Sequence, residues 1–151
     1  MQSSATSTDL SGSLLALFRH LALDPEAHHL RAIDEHDLTV SQVRALVLLA
    51  CSAPEPLPGA RIAERLGMTP PAVSRALDGL ARLGFVARSE SEEDRRVRPF
   101  AITDAGLEVA EELTALRRAQ LDGFVESLEP ARREALERAF DGLELPRTTG
   151  A

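Results

Sequence analysis

The residues with the most chemistry to offer lie in two short stretches. One is SESEEDRRVRPF, Ser89 to Phe100, where Glu90, Glu92, Glu93 and Asp94 stand beside Arg95, Arg96 and Arg98. The other is MTPPAVSRALDGL, Met68 to Leu80, which sets Thr69, Pro70, Pro71, Ser74 and Arg75 at the start of a helical pattern. Hydroxyls meet phosphates, small residues permit close approach, and a guanidinium can read guanine O6 and N7 or enter a narrow minor groove. Side chains of these types, so spaced, point to non-covalent recognition of an anionic surface. The bland alternatives are a solvated charged turn and an ordinary pair of packed helices.

Composition narrows the choice. The chain has 151 residues and a net charge of -7, which argues against nonspecific binding to polyanions. The charge is unevenly spread: residues 58–99 hold eight arginines against six acids, +2, and the remainder is -9. All 17 basic residues are arginine, so any phosphate or base contact would be made by a planar, bidentate group. Trp and Tyr are absent, which disfavours aromatic cages and stacking platforms for single strands. A single cysteine, Cys51, excludes an internal disulfide framework and fits a reducing compartment. No apolar run approaches the roughly 20 residues that span a bilayer, and the N-terminus lacks the pattern of a secretory signal. These features lead us to expect a cytoplasmic protein without a membrane partner.

The elements that must position the two stretches follow from periodicity. Residues 1–9 and 146–151 read as tails. Leu10, Leu14, Leu17, Phe18 and Leu21 recur at helical spacing, Asp24-Pro25 interrupts, and a second helical piece runs from Pro25 to about Glu35. Thr39 or Ser41 caps the next helix, Gln42 to about Cys51, with Val43, Leu46, Val47 and Ala50 as its apolar stripe. Three prolines in SAPEPLPG break it. A short helix from Ala60 to Leu66 ends at Gly67. Thr69 caps another from Pro70 to Leu83, ended by Gly84, and Ile62, Leu66, Val73, Leu77 and Leu80 supply a shared core. Phe85–Arg88 and Val97–Ile102 then read as two strands of one hairpin with a charged tip. Thr103 caps a long helix from Asp104 to about Leu128, and Pro130 opens a last one carrying Leu136, Phe140 and Leu143. The fold class is mainly α (α+β). A hairpin following the second helix of the tight pair would sit as a wing beside a groove-reading helix. In that position Asp94, two residues before Arg96 on the same side of a strand, can aim its guanidinium.

From Leu38 to Gly106 the chain resembles the MarR family of winged helix-turn-helix transcriptional regulators. The most specific part of the resemblance is the spacing of Leu80, Gly84, Phe85 and Val86, then Asp94-Arg95-Arg96, then Thr103 and Gly106. Ala81 and the Asp24-Pro25 interruption depart from the family pattern. The resemblance implies a DNA-binding lobe over 38–103, between dimerisation helices over 10–36 and 104–145. It implies a homodimer on a pseudo-palindromic operator of double-stranded DNA, with release by a ligand or by oxidation. The expected DNA contacts are Thr69, Pro70, Pro71, Ser74 and Arg75 in the major groove, and Arg88, Asp94, Arg95, Arg96 and Arg98 at the wing. The rival class is a helical dimerisation module without DNA function. Such a module would be expected to have lost Arg75, Asp94 and Arg96, and all three are present.

Sensing is less visible. Cys51 ends its helix beside a proline-rich turn, and a small buried thiol is the expectation. His29 and His36 lie two turns apart on a helix, about 10 Å, too far for one metal ion. No metal and no cofactor are expected, and no nucleophile–base pair or phosphate loop suggests an enzyme. A small organic effector held by Arg19, His20, Arg31 and His36 is the remaining option.

Overall fold

A computed structural model describes residues 9–23, 28–89 and 99–143. Seven helices and two short strands follow in the order α1 (Leu10–Ala22), α2 (His28–Glu35), α3 (Val40–Ala50), α4 (Gly59–Leu66), α5 (Pro70–Arg82), β1 (Val86–Arg88), β2 (Phe100–Ile102), α6 (Asp104–Glu126) and α7 (Pro130–Asp141). The expected start of the second helical piece at Pro25 lies outside the described residues, as do Asp94, Arg95, Arg96 and Arg98 of the wing.

The core belongs to the middle of the chain. Leu46, Leu49, Ile62, Val73, Leu77 and Leu80 are its largest fully buried side chains, from α3, α4 and α5. Val109, Ala110 and Leu113 of α6 close it from the other side. The stripe of α3 differs from the expectation: Gln42, Ala45, Leu46 and Leu49 are buried, whereas Val43, Val47 and Ala50 are only partly so. The reason is local. Thr39 and Gln42 form a reciprocal capping box, with Thr39 N–H donating to Gln42 Oε1 at 2.7 Å and Gln42 N–H to Thr39 Oγ1 at 3.3 Å. The satisfied amide can then turn inward, where Gly79 of α5 leaves room for it. A Cβ at Gly79 would lie 2.3 Å from Gln42 Nε2.

The hairpin is shorter than expected, with Val86 opposite Ile102, Ala87 opposite Ala101 and Arg88 opposite Phe100. It also has a partner the sequence did not suggest. Leu57 N–H donates to Phe100 O and Phe100 N–H to Leu57 O, both at 2.8 Å, so the loop before α4 adds a third short rung beside β2. A free two-stranded hairpin is marginal in water, and this rung together with the helix contacts supplies what it lacks.

A backbone clasp fixes where the wing leaves the helices. Thr103 N–H donates to Phe85 O at 3.0 Å, and the Thr103 hydroxyl donates to Gly84 O at 2.7 Å. The same hydroxyl accepts from Gly106 N–H at 3.1 Å, capping α6. Gly106 lets the Phe85 carbonyl lie against the first turn of α6.

The outer helices are unlike the core. Neither α1 nor α7 contains a buried residue. On α1, Leu10 and Phe18 are 67% and 61% exposed; Phe140 and Leu143 are exposed at the other end. No helix among the described residues is long and apolar enough to cross a membrane.

Candidate nucleic-acid interface

The turn between α4 and α5 is built from its sequence. Gly67 takes φ 61°, a left-handed conformation that glycine adopts without a Cβ penalty. Met68 N–H returns to Ala63 O at 3.0 Å, closing the helix end. Arg44 of α3 donates from its guanidinium to Leu66 O, so α3 also holds this end. Ala63 is buried and small, which brings the two helices close.

Thr69 occupies the N-cap position of α5, but its side chain makes no capping hydrogen bond. Pro70 and Pro71 explain this. They have no N–H to satisfy, and the first N–H after them, on Ala72, is already bonded to Thr69 O at 3.0 Å. The Thr69 hydroxyl is therefore left over at an exposed helix start. One face of α5 is buried through Val73, Ala76, Leu77 and Leu80. The opposite face exposes Pro70, Pro71, Ser74, Arg75, Asp78 and Arg82. Among the described residues Arg75 has no ion-pair partner. A helix with an apolar back and a small, hydroxylated, basic front at its N-terminal end has the shape a major groove admits.

Arg88, expected among the DNA contacts, is committed within the chain. Its Nη2 donates to Asp78 Oδ1 at 3.1 Å, and its guanidinium carbon lies 5.3 Å from the centroid of the Phe100 ring. No sequence pattern marks Asp78, because ten residues and a turn separate it from its partner.

The four effector candidates are not brought together. His36 Nε2 lies 2.9 Å from Glu112 Oε2, and its ring stands edge-on to Phe85 with centroids 6.1 Å apart. Arg19 and Arg31 are exposed on α1 and α2. Only His20 lines a cleft, of about 480 Å³, together with Leu21, His28, Gln120 and Phe124. Its ring lies 5.9 Å from that of Phe124. Gln120 donates to Leu21 O at 2.7 Å and accepts from Arg117, which also lies 3.0 Å from His29 Nε2, so α1, α2 and α6 meet through polar contacts here. No group of three or more His, Cys, Asp or Glu among the described residues is placed to hold a metal ion. Cys51, expected to be buried, is partly exposed at the end of α3.

Comparison with known proteins agrees with this geometry. A model of the MarR family matches residues 36–97. The chain is 31% identical over 121 residues to the HTH-type transcriptional repressor MdtR of Bacillus subtilis, covering 80% of this chain and 74% of that protein. Among solved structures, RV1404 from Mycobacterium tuberculosis is similar at 32% identity with a TM-score of 0.73, over 89% of this chain and 90% of that one. The Staphylococcus aureus MepR–DNA complex shares the fold at 22% identity and a TM-score of 0.68, over 86% of this chain and 94% of that one. By its winged helix-turn-helix architecture and by these relationships, the chain belongs to the MarR family of transcriptional regulators.

Proposed function

We propose that this regulator is a homodimer that binds double-stranded DNA at a pseudo-palindromic operator and represses transcription there. In this reading α5 lies in the major groove and presents Thr69, Pro70, Pro71, Ser74 and Arg75. The wing, residues 88–98, is assigned to the neighbouring minor groove, which suits its tip arginines, with Asp94 as the partner of Arg96. The observation that carries the reading is the exposed Arg75, without an ion-pair partner among the described residues, on the helix that the leftover Thr69 hydroxyl opens and whose other face is buried. The exposed apolar faces of α1 and α7 support the dimer, since each large side chain so covered contributes roughly 1.5–3 kcal/mol. Twofold symmetry would then place two copies of α5 about one DNA turn, roughly 34 Å, apart.

Release comes from a small organic molecule bound in the cleft between α1 and α6. This site replaces the four-residue set expected from the sequence: His20 remains, and His28, Gln120 and Phe124 join it. The Phe124 ring with the imidazoles of His20 and His28 suits a planar, polar-edged effector.

The test is a fluorescence anisotropy titration of the full chain on the DNA upstream of its own gene, against scrambled DNA, at two salt concentrations. Tight, salt-sensitive binding with a clear preference for the first is expected. Equal, weak binding to both, repeated in a genome-wide selection of bound fragments, would leave a dimerisation module without DNA function.

A further inference from the structure

We infer that Asp78 and Arg88 form a strut that sets the wing against α5, and that Arg88 serves DNA recognition through this position and not by touching DNA. The inference rests on the DNA-binding reading above.

Asp78 poses the problem. It lies on the exposed face of α5, one turn beyond Ser74 and Arg75, where a carboxylate would repel a phosphate backbone. Its charge is met by Arg88, 3.1 Å away on β1. The same guanidinium leans on the ring of Phe100, which is buried and stands opposite Arg88 in the hairpin register. Phe100 is in turn paired through its backbone with Leu57. Arg88 thus joins the groove-reading helix to both strands of the wing at the hairpin's outer end, while Thr103 and Gly106 hold its inner end. An arginine that swung away from α5 toward a phosphate would give up both partners. Held where it is, it cancels an unfavourable charge and limits rotation of the wing about its root. Both side chains of the pair are about half exposed, so the strut is a modest constraint and not a core contact.

The experiment compares Arg88→Ala, Asp78→Ala and the double variant in the full-length protein. Without DNA, amide hydrogen exchange is measured at Ser89, whose N–H donates to Pro99 O at 2.7 Å. Both single variants should exchange faster there than the wild type. On operator DNA each should lose roughly two- to fivefold in affinity per subunit, as an exposed ion pair allows. The double variant should lose no more than the single ones, and the slope of affinity against salt should stay that of the wild type. Three results would overturn the strut. Unchanged exchange at Ser89 in both variants removes it directly. A salt slope reduced in Arg88→Ala, with affinity raised in Asp78→Ala, makes Arg88 a phosphate contact and Asp78 a repulsive bystander. A changed preference at one base pair in Asp78→Ala makes the acid a reader of cytosine N4. If the wild type prefers no DNA, the DNA reading fails, and the exchange measurement still decides the strut.

Discussion

Replacing Gly106 by alanine should destabilise the protein, while the same replacement at Gly123 in the same helix should not. At Gly106 a Cβ would stand 2.0 Å from the Phe85 carbonyl oxygen and 2.8 Å from its carbon. Neither atom can rotate away, because both are backbone and the carbonyl is held by Thr103 N–H. Overpacking of this kind costs roughly 1–3 kcal/mol. Displacing the Thr103–Phe85 hydrogen bond adds about 0.5–1.5 kcal/mol, since the clasp is partly shielded from water. Against this stands the helix-propensity gain of Gly→Ala, at most about 1 kcal/mol. The net loss is about 2 kcal/mol, which for a chain of this size lowers Tm by roughly 4–8 °C. At Gly123 nothing lies within 4 Å of the added Cβ, so only the propensity gain applies and Tm should hold or rise by a few degrees. Thermal unfolding followed by circular dichroism reads both variants, at one fixed protein concentration because subunit association would otherwise shift Tm. A Gly106→Ala protein as stable as the wild type would refute the clasp. An equal fall in both variants would mean that α6 simply resists change.

Other outcomes follow from single side chains. Thr103→Val keeps the shape but removes the hydroxyl that caps α6 and holds Gly84 O, so it should cost about 1–2 kcal/mol in a denaturant titration. Arg75→Ala should relax preference at one operator position by about 1–3 kcal/mol if it reads a guanine, measured on a panel of single-base operator variants; uniform loss across the panel would make it a phosphate contact. Arg96→Ala should weaken binding to all sequences and lower the salt slope by about one unit per contact, and an unchanged slope would refute its assignment to the wing. Phe18→Asp places a charge on the exposed apolar face of α1 and should shift sedimentation toward the monomer; an undisturbed dimer would put the subunit contact elsewhere.

What was legible in the sequence was mostly local. Gly67, Pro70 and Gly84 mark the ends of α4 and α5 through backbone preference alone, and the helices begin or end within a residue of where those signals put them. Thr103 marks the start of α6 in the same way. The stripe of α3 was legible in part: Leu46 is buried and Val43 and Ala50 pack against the core, but polarity hides the burial of Gln42, although the spacing of Thr39 and Gln42 carries the capping-box signal. The Leu57 rung was hidden by the prolines on either side, which read as breakers and not as pairing partners. Asp78 with Arg88, and Phe85 with Gly106, depend on how the hairpin folds back over two helices, which no periodicity encodes. Where the effector candidates would lie was the least legible. Histidine and arginine on an amphipathic helix carry no record of which turn of a distant helix they will meet, so His36 went to Glu112 and only His20 to the cleft.

The Leu57–Phe100 rung has a consequence for how the reading unit opens. Leu57 precedes α4 and Phe100 follows the wing, so their two reciprocal hydrogen bonds close a loop that contains α4, α5 and β1. Local unfolding occurs in contiguous units, and a unit tied at both ends opens only when the tie is broken. The amides of Leu57 and Phe100 should therefore exchange with solvent at one common rate, although α4, α5 and β1 lie between them in sequence. That rate would measure the free energy of opening this tie, separately from that of the helices it encloses.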